Sequence, residues 1–152
     1  MSVWLVLHIF GAILLVGNIV TAAFWKVRAD LEGKPEVMHS AAKGVMKADY
    51  VFTLPGLVLV VGSGVAMAAA SSYVLTKINW LTLSILLFAV TGLVWALVLL
   101  PLQRLMIRGS EEAVRTGVVP DAYHRASRQW AVFGTLATLL PVVILYLMVA
   151  KP

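Results

Sequence analysis

The 152-residue chain is 61% hydrophobic and only 12% charged, with a mean hydropathy of +0.95. Soluble domains carry roughly a quarter charged residues, so the composition excludes a water-soluble fold and leaves room for one membrane domain. The chain has no cysteine, which excludes disulfides, iron–sulfur clusters and thiolate metal sites.

Four apolar stretches dominate, at residues 3–25, 50–71, 80–103 and 130–150. About 20 residues suffice to cross the hydrocarbon core as a helix, so each stretch predicts one span. The expected fold is all-α: a four-transmembrane-helix bundle forming a single integral membrane domain over residues 1–152. The first span lacks the basic flank of a signal peptide, which predicts a retained helix. On it His8, Gly11, Leu15, Asn18 and Ala22 share one face. A face carrying His, Gly and Asn is expected to look into the bundle.

A polar segment, residues 26–49, comes next. Gly33 is expected to stop one helix and Pro35 to open another. His39, Lys43 and Lys47 then fall four apart, a stripe expected to meet solvent or, through Lys43 and Lys47, anionic lipid headgroups. In the second span Pro55 and Gly56 predict a kink. Further along, Gly62, Ala66 and Ala70 recur every four residues, the spacing that lets helices pack closely in lipid.

Residues 72–79 form a short connection to the third span. Trp95 falls well inside that span and reads either as helix packing or as a ring on which a cofactor stacks; Pro101 lies near the span's end. In the polar segment 104–129, Glu111 and Arg115 have i,i+4 spacing, Gly117 and Pro120 mark a break, and Asp121 can cap the helix leading into the fourth span. Trp4 and Trp80 sit at one predicted boundary, Trp25 and Trp130 at the other, and Tyr50 and Tyr73 bracket the second span. Together they predict an aromatic belt.

Lys and Arg number five in 26–49, one in 72–79 and five in 104–129, with Lys151 beyond the fourth span. The positive-inside rule therefore puts both long polar segments in the cytoplasm and both termini on the outer side. This topology accounts for the net charge of +5. Acidic residues are interspersed among the basic ones, so nucleic acid is not an expected partner.

No Asp, Glu, Lys or Arg falls inside the four stretches, and His8 is their one group of ordinary titration range. Ion-coupled pumps keep carboxylates and basic groups within the membrane, so transport would need an oligomeric pore. His8 has two readings. It can be an axial haem ligand, or a packing residue hydrogen-bonded to a neighbouring helix. His39 and His124 lie across the predicted bilayer from it, so Met67 and Met148 are the intrachain candidates for a second ligand. A five-coordinate iron, or two His8 residues across a dimer axis, are the alternatives. There is no CxxCH attachment motif, so any haem would be non-covalent haem b.

Several segments carry a resemblance. They are Leu7-His8-Ile9-Phe10-Gly11-Ala12-Ile13-Leu14, Ala23-Phe24-Trp25-Lys26-Val27-Arg28, Thr53-Leu54-Pro55-Gly56, Gly62-Ser63-Gly64, Gly92-Leu93-Val94-Trp95, Pro101-Leu102-Gln103-Arg104 and the closing Leu147-Met148-Val149-Ala150-Lys151-Pro152. In this order the chain resembles, over its whole length, the bacterial integral membrane proteins grouped as domain of unknown function 2269. The resemblance implies a four-span inner-membrane protein without an assigned biochemical role. The opening Leu7-His8 followed by an apolar helix is also similar, more distantly, to small haem-containing membrane protoporphyrinogen oxidases and to copper-resistance-type membrane domains. That similarity implies His8 as the iron ligand. The oxidases also use a lysine in their third span, and residues 80–103 contain none.

The leading expectation is thus a haem-binding or redox-related homo-oligomer of the bacterial inner membrane, with His8 as ligand. The alternative is a cofactor-free interaction or assembly protein working through Gly62, Ala66 and Ala70; a third reading is a small oligomeric transporter or channel.

Overall fold

The computed structural model describes residues 2–71 and 78–152. Four long helices make up nearly all of it: α1 (Ser2–Glu32), α2 (Pro35–Ala69), α3 (Trp80–Thr116) and α4 (Asp121–Ala150). Each is long and apolar enough to cross a membrane, as the four stretches predict, and the described residues contain no strand. Tyr73, expected in the aromatic belt, lies outside the described residues.

The helices are longer than the spans. α2 has 35 residues and α3 has 37, about 50 Å or more at 1.5 Å per residue, against a hydrocarbon core of about 30 Å. The polar segments are therefore helical extensions of the spans rather than loops. Their sequence explains this. Residues Pro35–Ala48 are rich in good helix formers, with Pro35 in the first turn and Met38, Ala42 and Val45 buried at a four–three spacing. This face meets Leu102 and Met106 on Leu100–Thr116, the polar half of α3, and Tyr123 and Ala126 on α4 complete the same buried cluster. Along the apolar halves, by contrast, large side chains such as Phe10, Val58, Leu86 and Val149 face outward, as lipid tails permit.

The breaks fall where expected. Gly33, with φ +70°, ends α1 and Pro35 opens α2; Gly117, with φ +76°, ends α3. Asn79 caps α3, its side-chain oxygen accepting from the backbone N–H groups of Leu81 and Thr82 at 2.9 and 3.0 Å. The cap expected of Asp121 is not formed. Pro120 holds the cap position and Asp121 is the first helical residue, where its charge still meets the positive end of the helix dipole. Trp130 also departs from expectation. It is buried inside the bundle rather than standing in the belt, whereas Trp4 and Trp25 are exposed.

α1 packs along the apolar half of α2 (Leu54–Ala69), and the apolar half of α3 (Trp80–Val94) packs along α4. These two pairs join at the polar end, where the polar halves of α2 and α3 pack together and Lys26 on α1 meets Ser127 on α4. The apolar halves of α2 and α3 make no close contact with each other. The backbones of these two halves therefore diverge away from the polar end.

The α1–α2 seam is set by two glycines. A Cβ on Gly56 would lie 2.9 Å from the Gly11 carbonyl oxygen, and one on Gly11 would lie 2.9 Å from the Gly56 oxygen and 2.8 Å from the Leu59 Cβ. The backbones touch here, the close approach that small residues allow in lipid. The Gly62, Ala66 and Ala70 row does not serve this seam: a Cβ on Gly62 meets nothing within 4 Å, and Gly62 and Ala70 are exposed. Overpacking of this kind costs about 1–3 kcal/mol. Gly56→Ala should therefore lower the thermal midpoint in mild detergent clearly, whereas Gly62→Ala should leave it unchanged. Equal effects would contradict the seam.

Candidate functional site

Two prolines shape the centre of the molecule. Proline cannot donate a backbone hydrogen bond, and its ring clashes with the carbonyl four residues earlier. Ahead of Pro55 and Pro101 the helix widens into one π-type turn each, over Asp49–Thr53 and Trp95–Leu99. In each the bonding lengthens to five residues, the Leu54 N–H donating to the Asp49 carbonyl and the Leu100 N–H to that of Trp95. Such turns occur mostly as single bulges, often at functional sites. The residues that open them, Asp49 and Trp95, meet each other.

Asp49 is only 5% exposed, and four side chains surround its carboxylate. Oδ1 accepts from Asn18 Nδ2 and from Thr53 Oγ1, both at 2.9 Å; Oδ2 accepts from Gln103 Nε2 at 2.8 Å and from Trp95 Nε1 at 3.1 Å. Asn18 Nδ2 also donates to Thr53 Oγ1 at 2.9 Å, closing a ring of three side chains. Every contact is a donor aimed at an acceptor, the arrangement a carboxylate requires. It links α1, α2 and α3. The bond to Asn18 ties the carboxylate to a residue seven before the predicted end of the first span, whereas Asp49 and Gln103 stand at the predicted ends of the second and third.

Beside this ring lies a cleft with about 670 Å³ of empty space, its open mouth included. All four helices line it. Asp49, Thr53, Trp95 and Gln103 stand on one side of it, and Leu57 and Phe88 line it from the diverging halves of α2 and α3. Two buried polar atoms have no partner: Gln103 Oε1 and Trp130 Nε1. Both residues line the cleft, at 2% and 7% exposure. Turning the Gln103 amide over would not help, because its oxygen would then face the Asp49 carboxylate.

A second polar cluster lies toward the polar end. Lys26 is 1% exposed, and its ammonium donates to Asp30 and Ser127. Tyr123 Oη donates to Asp30 Oδ1 and Ser127 Oγ to Asp30 Oδ2, each at 2.6 Å. The ammonium also lies 5.1 Å from the centroid of the Tyr123 ring and 5.8 Å from that of Trp130, within cation–π range. Burial pushes the Lys26 pKa down, and Asp30 partly restores it. For Tyr123, burial raises the phenol, and the hydrogen bond and charge of Asp30 raise it further.

His8 is half-buried, with Nδ1 lying 3.0 Å from the Val60 carbonyl and 3.1 Å from Ser63 Oγ. It thus stitches α1 to α2 beyond the glycine seam. Gly11 and Asn18 are buried on the same face of α1. Trp95 enters the site as a hydrogen-bond donor. Met67 and Met148 are half-buried on α2 and α4. His39 bonds Ser110 across α2 and α3 at 3.0 Å, whereas Lys43 and Lys47 are exposed. The ion pairs among the described residues are Lys26–Asp30 and Lys34–Glu32, so Glu111 and Arg115 remain unpaired with each other. Those residues also contain no cluster of three or more His, Asp and Glu that could hold a metal ion.

A family model described as a predicted integral membrane protein, DUF2269, matches residues 2–152. The chain belongs to this family. No curated protein and no solved structure matches it. Within the family frame, sequence reasoning reached Asn18 and Trp95 but missed Asp49, Gln103 and Trp130. One signal was present: Asp49 and Trp95 each stand six residues before a proline that follows a leucine.

The Tyr123 geometry makes a pH prediction. A phenol held above its ordinary value of 10.0 stays protonated in the folded protein after the unfolded chain has ionised. Its contribution to stability is complete below that value and is lost as pH rises beyond it. The tyrosinate absorbance at 295 nm should show a late step above pH 10 that Tyr123→Phe removes. A titration identical in the two proteins would contradict the Asp30–Tyr123 bond.

Proposed function

We propose that this four-span integral membrane protein is a binding protein for a lipid-soluble amphipathic small molecule. The cleft beside Asp49 is the site. One observation carries the reading: a buried carboxylate ring forms the wall of an otherwise apolar cleft, with two buried polar atoms unpartnered beside it. Binding sites share this character, mostly apolar walls with a few placed polar groups. The divergence of α2 and α3 in the apolar layer would offer a lateral path from the lipid, and the polar ring would give the bound head group an orientation. With the positive-inside orientation, the polar helical end and the cleft lie toward the cytoplasm.

A second reading, haem binding through His8, has one supporting observation. A ligating imidazole commonly has its other nitrogen fixed by a carbonyl, and His8 Nδ1 lies 3.0 Å from the Val60 carbonyl, which leaves Nε2 for iron. In this reading the haem lies away from the Asp49 cleft.

One set of preparations tests both. Gly92 and Gly134 line the cleft, and a Cβ on either meets nothing within 4 Å. Gly92→Leu therefore has room at its Cβ and adds bulk at the lining of the cleft. Mass spectrometry of gently purified protein should find a co-purifying lipid-soluble molecule that falls at least tenfold in Gly92→Leu; equal amounts would contradict the cleft. A Soret band lost in His8→Ala would support the haem reading, and colourless protein from haem-replete cells would overturn it.

A further inference from the structure

The polar halves of α2 and α3 carry a second surface, away from the cleft. They run antiparallel, and two hydrogen bonds fix their register: Gln103 Nε2 to Asp49 Oδ2 at 2.8 Å, and His39 Nδ1 with Ser110 Oγ at 3.0 Å. Lys47 on α2 and Arg104 on α3 therefore stand at one level. Lys43 and Arg108 stand about one helical turn farther from the apolar layer. Glu36, Lys43 and Lys47 form a row on α2 at i, i+7 and i+11, and Arg104, Arg108, Glu111 and Arg115 form one on α3 at i, i+4, i+7 and i+11. Charge is segregated along both rows. The two turns nearest the apolar layer hold four cations, and the carboxylates of Glu36 and Glu111 come only beyond them.

All four cations are exposed, and the ion pairs among the described residues, Lys26–Asp30 and Lys34–Glu32, involve none of them. The nearby Asp49 carboxylate is buried and already accepts four hydrogen bonds. Like charges at i,i+4 repel, so an anion at this face relieves Lys43 against Lys47 and Arg104 against Arg108. The apolar stretches begin at the edge of the face: Lys47 stands three residues before the second, and Arg104 directly follows the third. There the same helices expose Tyr50, Leu54 and Leu97. We propose that the α2–α3 face binds an anionic phospholipid, its phosphate held by Lys43 and Lys47 of one helix and Arg104 and Arg108 of the other. Guanidinium forks match phosphate oxygens, and ammonium groups supply point charge. A soluble phosphate has the same head chemistry but no chain to cover the apolar border. None of the four cations lines the cleft, so this site stands independently of the cleft reading.

Native mass spectrometry of the full chain in mild detergent tests this, with phosphatidylglycerol or phosphatidylcholine of identical acyl chains added. Attraction to an anionic lipid surface amounts to about fivefold per basic residue. Phosphatidylglycerol should therefore bind about tenfold or more tighter than phosphatidylcholine. Lys47→Gln combined with Arg104→Gln should lower its affinity by about tenfold or more and leave phosphatidylcholine unchanged. Arg125→Gln with Arg128→Gln removes the same charge from the exposed surface of α4 and should leave phosphatidylglycerol binding unaltered. Equal losses in the two double variants would reduce the effect to diffuse attraction and overturn the site. Equal binding of the two lipids by the unaltered chain would overturn it without any variant. Displacement of the lipid by inorganic phosphate would assign the face to a soluble anion and overturn the lipid. Gly92→Leu should leave phosphatidylglycerol bound; its loss there would move the lipid to the cleft and overturn the α2–α3 site.

Discussion

The carboxylate of Asp49 is the constraint from which the rest of the structure follows. A charge cannot leave water without partners, and an isolated buried carboxylate is prohibitively costly. Here α1 supplies Asn18, α2 supplies Thr53, and α3 supplies Trp95 and Gln103. Three helices must keep their relative depth and rotation for all four donors to reach. In lipid, where apolar contact alone gives little preference for one helix arrangement over another, such a polar knot supplies the register.

The prolines and glycines make the knot geometrically accessible. Pro55 and Pro101 widen α2 and α3 just where Asp49 and Trp95 must turn toward each other. Gly11 and Gly56 bring α1 against α2, so that Asn18, less than two turns beyond Gly11, arrives at the carboxylate. The Lys26, Asp30, Tyr123 and Ser127 cluster then ties α1 to α4 at the polar end. With the bundle fastened at that end, the apolar halves of α2 and α3 remain apart. The cleft is a consequence of where the polar contacts lie.

Much of this was legible in the sequence, and the exceptions have physical causes. Hydropathy and length marked all four spans, Gly33 with Pro35 and Gly117 marked the turns, and the inward face through Gly11 and Asn18 followed from helical spacing. Asp49 was missed because it sits one residue outside a hydropathy window. Only its partners on other helices reveal that it is buried. Trp130 had the sequence position of an interfacial anchor, yet the bundle extends beyond the span and encloses it. The Gly62, Ala66 and Ala70 row, read as a surface for association, lies off the α1–α2 seam. Within the polar segments the helices run on from the spans and break at Gly33–Lys34 and at Gly117–Pro120, where the glycines and prolines marked breaks.

Asn18 and Gln103 act on the fold through one shared acceptor, the Asp49 carboxylate. Unfolding free energies in mild detergent should be measured for Asn18→Ala and Gln103→Ala, each in the native chain and in an Asp49→Ala background. If the carboxylate is the junction, each substitution costs about 1–3 kcal/mol in the native chain, and that cost collapses once Asp49 is gone. Undiminished, additive losses in the Asp49→Ala background would contradict the claim.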